Sequence, residues 1–326
     1  MTTTTHPEFN DHTEALEVAK AFAGKIRAKT ILVTGVHVAG IGFATVQAFA
    51  SHIDKLEAEF PNVDYRPLIL DLSTQRTVRA TAAELLSWDD IPVIDIIVNS
   101  AAIFIGPELT LNEDGLETQF ATNHVGHFQF TCLLMPKLRK AVTAENNPKG
   151  ATRIINVSSL SPTAARMRWS DIHYARKNKE LPEDEQPPYE MHKQWVIADA
   201  QERSYLPMEG YNQGKVANVL FSVALNRRLY EQHGILSFAL HPGVVDTEII
   251  RDAAPDTKAL AFKTLGAGAA TSLVAALGPK LGLPTTKGDK ENYGVYLVDC
   301  QISNLANSYS TSTLSAFLVR LRFRVG

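Results

Sequence analysis

The sequence predicts an α/β protein built on one doubly wound, parallel sheet. Three observations point there. Short apolar runs recur along the 326-residue chain: "TILVTG", "YRPLILDL", "IDIIVNSA", "RIINVSS" and "ILSFALHPG", with a weaker one at "YGVYLVDC". Strands buried on both faces of a parallel sheet read as such continuous runs. Segments long enough for helices separate them, and a glycine cluster follows the first convincing strand. Alternation of this kind argues for parallel βαβ units.

Taken in order, residues 1–29 read as an N-terminal extension. It is a polar leader plus one short amphipathic helix, "TEALEVAKAF", with Thr13 or Asp11 as the expected cap. Ile31, Leu32 and Val33 form the first strand, and Gly35, Gly40 and Gly42 the turn into an alanine-rich helix. Glycines at such a turn let backbone amides approach a pyrophosphate, and the helix N-terminus adds partial positive charge beneath it. The arrangement is Rossmann-like. "RTVRATAAELLSW", "GLETQFATNHVGHFQFTCLLMPKLRKAV" and "GKVANVLFSVALNRRLYEQHG" supply further helices. From Ser161 to about Gly210 the rhythm breaks, around "KNKELPEDEQPPYEMHKQW". Paired prolines and a dense acidic run predict an irregular excursion with a short helix, either a solvated loop or a lid over the site. One domain is expected over 30–303, with 161–210 inserted in it and 304–326 as a tail.

A net charge of −3 gives no electrostatic reason to expect nucleic acid. Cys132 and Cys300 lie far apart, which suits a reducing interior and argues against a disulfide framework. The N-terminus carries no apolar h-region, and no apolar run approaches bilayer-spanning length. A soluble, cytoplasmic protein is expected.

Chemistry concentrates in "YNQGKVANVLF", where Tyr211 and Lys215 stand at i and i+4 on one helix face. A lysine ammonium near a tyrosine hydroxyl favours the phenolate and draws its pKa toward the range of a general acid or base. "YEMHK" offers Tyr189 and Lys193 at the same spacing, but in the proline-rich excursion with no apolar helix to fix them. That pair is read as coincidence. His124 and His127, at i and i+3, have the spacing of two metal ligands, but no nearby Cys, Asp or Glu cluster completes a site, so no metal is expected.

In order, "TGVHVAGIG", "NSAA", "NHVGHF", "INVSS", "YNQGK" and "HPGVVDTEI" resemble the short-chain dehydrogenase/reductase family, most closely its retinol-dehydrogenase-like branch. The resemblance runs from about Thr30 to Gln301. It implies an NAD- or NADP-dependent oxidoreductase interconverting a small-molecule carbonyl and an alcohol. Tyr211 matches the catalytic tyrosine, and Lys215 the lysine that tunes it and binds the nicotinamide ribose. Ser159 matches the serine that holds the substrate oxygen, and Asn123 the asparagine of the proton relay. Cofactor contacts are implied at Gly35, Gly40, Ile41, Gly42, Asp71, Leu72, Asn99, Ala101, Pro242, Gly243, Val245 and Thr247, besides Tyr211 and Lys215. The family commonly forms dimers or tetramers, which makes a homo-oligomer an expectation here.

Departures from the pattern are also legible. Four residues separate Gly35 from Gly40 where the family usually has three, and Ala102 and Gly214 replace a commoner glycine and serine. The tail "TSTLSAFLVRLRFRVG" does not resemble the usual last helix. Above all, "FATVQAFASHIDKLEAEFPNVDY" runs from the glycine turn to "RPLILDL" with no apolar strand between. The second strand, which in the family reads the adenosine ribose and chooses between NAD and NADP, is missing. "RPLILDL" is then expected to close up beside "TILVTG", carrying Asp71 to the ribose and favouring NAD. The alternative keeps "RPLILDL" in its family position and leaves the first strand with an open edge. A non-catalytic binding protein of this fold, or a truncated copy with an impaired cofactor half, stands as the rival reading.

Overall fold

A computed structural model describes residues 4–57, 65–144, 147–194, 197–247, 249, 262–282 and 296–303. The expected tail, 304–326, lies outside the described residues. The chain opens with helices α1 (Ala15–Ala21) and α2 (Ala23–Ile26), then strand β1 (Ile31–Val33) and helices α3 (Ile41–Glu57) and α4 (Gln75–Leu86). Strand β2 (Ile96–Asn99) leads to α5 (Thr118–Phe120), a π turn (Ala121–Val125), α6 (Gly126–Leu133) and α7 (Met135–Val142). Strand β3 (Arg153–Val157) precedes the excursion with its short helix α8 (Tyr189–Gln194). The 27-residue α9 (Pro207–His233) then leads to β4 (Leu236–His241), α10 (Leu265–Leu277), β5 (Tyr296–Val298) and β6 (Gln301–Ile302).

The strands form one sheet in the order β1-β2-β3-β4-β5-β6, parallel except for the last pair. Alternate strand residues enter opposite cores. Ile96, Val98, Ile155, Phe238 and Leu240 pack with α1, α3 and α10, whereas Ile97 and Ile154 pack with α4, α6, α7 and α9. Burial on both faces is what the uninterrupted apolar runs demand, each such side chain contributing about 1.5–3 kcal/mol. Gly234 closes α9 in the left-handed conformation, φ 65°, and Pro207 opens it at a position with no intrahelical N–H bond to lose. Helix α10 is buried all round. With two glycines and no polar stripe it offers no amphipathic signal, and the sequence gives it no separate notice.

The closing-up of "RPLILDL" beside β1 does not occur. Among the described residues β1 has one ladder partner, β2, in the register Ile31↔Ile96. Tyr65–Leu72 forms no strand, although Leu68, Leu70 and Leu72 turn inward and Ile69 is 90 % exposed. Its carbonyls are taken elsewhere. The hydroxyls of Thr81 and Thr77 on α4 donate to Ile69 O at 3.0 Å and Asp71 O at 2.8 Å. Leu72 lies so close to α6 that a Cβ on Gly126 would stand 2.4 Å from its carbonyl oxygen. Hydroxyls of α4 and the close approach of α6 therefore hold this segment, not a ladder with β1. Helix α3 packs on one face of the sheet and α4 on the other.

The N-terminal segment joins the core. Phe9, Val18, Phe22 and Ile26 pack with α10, and the Gln301 side-chain amide donates to Phe9 O at 2.6 Å and His6 O at 3.1 Å. Neither expected cap is used. Glu14 occupies the N-cap of α1 without capping it through its side chain, while the Thr13 hydroxyl accepts from Asn10 N in the preceding turn. The excursion is irregular and well bonded. Arg168 and Asp171 form a buried ion pair at 2.6 Å, and His192 on α8 meets Glu209 on α9 at 2.8 Å. Among the described residues no helix is long and apolar enough to cross a membrane.

Candidate active site

The glycine turn leaves the carboxyl end of β1. Gly35 has φ +73°, and a Cβ there would stand 2.6 Å from Ala101 Cα. On Gly42 it would stand 2.4 Å from Gly35 O. Both positions require glycine for close backbone approach. The extra residue is absorbed by two tight turns, His37 N to Gly35 O at 3.0 Å and Gly40 N to His37 O at 2.8 Å. Below the turn, Thr34 Oγ1 accepts from Ser100 N (2.9 Å) and Ala101 N (3.1 Å), binding the "NSAA" loop to β1.

With both acceptor positions filled, Thr34 donates its proton to His127 Nε2 at 2.8 Å. The His127 proton then sits on Nδ1, 3.3 Å from Asn123 O. Burial holds this imidazole down at about 3 and His124 at about 4. Both histidines face hydrogen-bond partners within the fold. The sign of the pH effect follows for His127. The native ring stays neutral down to about pH 3 while the unfolded chain takes a proton below about 6.5, so stability falls as pH drops across that window. His127→Asn should flatten the fall by up to about 1.4 kcal/mol per pH unit. Urea midpoints at several pH values check it, and equal slopes for the two proteins would contradict it.

Helix α9 carries Tyr211 and Lys215. The Lys215 ammonium lies 5.4 Å from the Tyr211 ring centroid, is 2 % exposed, and donates to Val157 O at 3.0 Å. Burial lowers it to about 8. Tyr211 is pushed up to about 12 by burial, with hydrogen bonding to Ser159 pulling the other way. The downward shift expected from the lysine is therefore not found: desolvation of the phenol outweighs the hydrogen bond to Ser159. Phe104 stands edge-on to Tyr211, ring centroids 5.8 Å apart.

Ser159 follows β3. Its hydroxyl meets Ser161 Oγ at 2.5 Å and accepts from Ser161 N at 3.0 Å. The hydroxyl of Tyr296 on β5 donates to Ser159 O at 2.5 Å. Asn123 lies fully buried in the π turn, a form found at functional sites. Its amide clamps Ile103, accepting from Ile103 N at 2.8 Å and donating to Ile103 O at 2.9 Å. Asn99, at the end of β2, donates to Asn156 Oδ1 at 2.9 Å and Thr131 Oγ1 at 3.1 Å.

After β4, Pro242 leads to Gly243, where φ is +95° and a Cβ would stand 2.5 Å from Lys263 Cδ. Val245 is buried against α10. A Cβ on Gly268 would come 2.6 Å from Val245 and 3.5 Å from Ile41, so this loop and the glycine turn meet over one helix. Thr247 follows Val245 at the rim, half-buried. Leu72 is buried against α6, and exposed Asp71 accepts from Ser73 N at 2.8 Å, turning the chain into α4 rather than lying beside β1. Lys193 on α8 pairs with Glu190 at 2.6 Å on the surface. Tyr296 and Asn218 are polar neighbours of this region that sequence patterns did not single out.

The chain matches no protein-family model. It is similar to the oxidoreductase fscI of Fusarium equiseti, 31 % identical over 72 % of this chain and 94 % of the relative. Human retinol dehydrogenase 13 is 31 % identical over 74 % of this chain and 66 % of the relative. Among solved structures, the NADPH-bound carbonyl reductase from chicken fatty liver superposes with a TM-score of 0.52, covering 84 % of this chain and 97 % of that one. At 18 % identity that likeness speaks to the fold. The chain belongs to the short-chain dehydrogenase/reductase family of oxidoreductases, in its retinol-dehydrogenase-like branch.

Proposed function

We propose that the chain interconverts a small-molecule carbonyl and an alcohol using NAD or NADP, with Tyr211 exchanging the proton and Ser159 holding the oxygen. One observation carries this reading: α9, the end of β3 and the π turn bring Tyr211, Lys215, Ser159 and Asn123 together at the carboxyl ends of β2 and β3. That is where open α/β sheets bind ligands.

The residues present fit part of a dinucleotide. The turn at Gly35, Gly40, Ile41 and Gly42 packs its own backbone so closely that a Cβ at Gly35 or Gly42 would not fit, and it opens a helix N-terminus, which suits the pyrophosphate. Asn99 and Ala101 would border the middle of the group. Pro242, Gly243, Val245 and Thr247 would hold the nicotinamide side. Asp71 has its carboxylate engaged by Ser73 N, and no second strand stands beside β1 among the described residues, so the usual ribose reader is lacking. When bound, the nicotinamide supplies or accepts the hydride.

The chain's own groups handle the proton. A phenol held at about 12 remains protonated at neutral pH and is set to donate to a carbonyl oxygen. Lys215, with its charge present below about pH 8, stabilises the phenolate that results. The Ser159 hydroxyl orients the same oxygen, and Asn123 anchors the Ile103 loop beside it. Phe104 gives the pocket an apolar wall. The described part of the insertion, bonded to α9 at Glu209 and Gln213, would serve as a lid over the substrate side. Two free thiols, Cys132 and Cys300, suit a reducing cytoplasm.

The test is a panel of aldehydes and ketones with NADPH or NADH, following loss of 340 nm absorbance and formation of the alcohol. Turnover of at least one carbonyl is expected. A rival reading, a binding protein without turnover, is favoured by the open edge of β1, and a folded chain inert across the panel would support it.

A further inference from the structure

The four candidate catalytic groups sit on three elements, Tyr211 and Lys215 on α9, Asn123 in the π turn and Ser159 just beyond β3, and nothing in the proposed reaction explains what holds those elements in register. Asn218 is 2 % exposed and lies one turn beyond Lys215 on α9. From α9 its side-chain amide reaches the other two elements. Nδ2 stands 3.2 Å from Asn123 O in the π turn and 3.4 Å from Val157 O at the end of β3. Oδ1 stands 2.9 Å from His124 Nδ1. Lys215 donates to the same Val157 carbonyl at 3.0 Å, and two residues further on the chain reaches Ser159.

Donor accounting fixes the orientation. The two carbonyls can only accept, so both Nδ2 protons go to them and Oδ1 must accept from His124. His124, held at about 4 by burial, is neutral with a single N–H, and that proton therefore sits on Nδ1. The ring is held by Phe120, Phe128 and Phe221, with centroids 5.6, 6.2 and 6.0 Å away. A flipped amide would set Oδ1 against two carbonyl oxygens and leave His124 facing a donor.

We infer that Asn218, held in one orientation by His124, is a positioning residue that sets the spacing between Tyr211 and Lys215 on α9, Asn123 in the π turn and the strand end leading to Ser159. This rests on the catalytic reading above. Neither residue touches the reacting atoms. They act by keeping the proton donor and the oxygen-binding serine in register, and a displacement near 1 Å at such groups lowers turnover by about 100-fold.

The experiment compares Asn218→Ala, His124→Leu and His124→Asn, with Tyr211→Phe alongside, on the best carbonyl of the panel. His124→Asn can still offer an N–H to Asn218 Oδ1, and His124→Leu cannot. Asn218→Ala and His124→Leu should lower kcat by about tenfold or more while KM and the dinucleotide Kd stay within about twofold, and His124→Asn should recover most of the loss. If Asn218→Ala does not fold, the two His124 variants, which keep Asn218, carry the test. Wild-type kcat in Asn218→Ala and His124→Leu, with Tyr211→Phe inactive, would overturn this inference and leave the catalytic reading standing. A parallel decline of kcat, KM and Kd without recovery in His124→Asn would also overturn it. Full activity in Tyr211→Phe would instead remove the reading on which it rests.

Discussion

Replacing Tyr211 with Phe is expected to lower turnover by about 10²–10⁴-fold, the usual contribution of a positioned general acid. The substitution removes one oxygen and leaves the ring that packs edge-on against Phe104, so thermal unfolding should barely change. Lys215 keeps its bond to Val157 O, and Ser159 keeps its bond to Ser161. The loss should therefore fall on kcat rather than on dinucleotide binding. A variant that retained most of its activity would show that the proton moves by another route, and the assignment of Tyr211 would fail.

The second large effect is expected at the glycine turn. Gly42→Ala places a Cβ 2.4 Å from Gly35 O, 2.9 Å from Gly35 C and 3.0 Å from Thr34 O, all backbone atoms of the same turn. None can move aside as a flexible side-chain tip would, so the turn itself must shift. A loss of about 1–3 kcal/mol in stability is expected. Because the displaced amides are those proposed to face the pyrophosphate, dinucleotide binding should weaken by about tenfold or more, one such donor being worth roughly 1.4 kcal/mol or above. Gly24→Ala serves as the control. It lies in α2 with no atom within 4 Å of its Cβ, and alanine there should be neutral or slightly stabilising. Equal Kd and melting temperature for Gly42→Ala and the wild type would contradict the cradle.

Much of this was legible in the sequence because the deciding physics is local. The largely apolar strands Ile96–Asn99 and Leu236–His241 follow from burial on both faces, and the Tyr211–Lys215 face follows from helix spacing. The need for glycine at 35 and 42 follows from a strand turning tightly into a helix. What the sequence did not disclose depends on partners far along the chain. "RPLILDL" has a strand-like pattern, but Thr77 and Thr81 capture its carbonyls and nothing local foretells that. Asn218 and His124 stand 94 residues apart, and Tyr296 and Ser159 137 apart, so neither pairing has a sequence signature. The upward shift of Tyr211 depends on how deeply α9 is buried, which no spacing rule conveys.

The open edge of β1 gives the molecule an unusual division. One half holds the candidate catalytic groups, on α9, in the π turn and beyond β3. In the other half, among the described residues, no strand stands on the far side of β1 to read the ribose. Whether a phosphate cradle alone secures a dinucleotide is therefore the question on which the oxidoreductase reading turns. Calorimetric titration of the purified chain with NADPH and, separately, NADH answers it. The account predicts saturable one-to-one binding of at least one of them. A folded chain that binds neither would leave Tyr211 and Ser159 without a hydride source and contradict it.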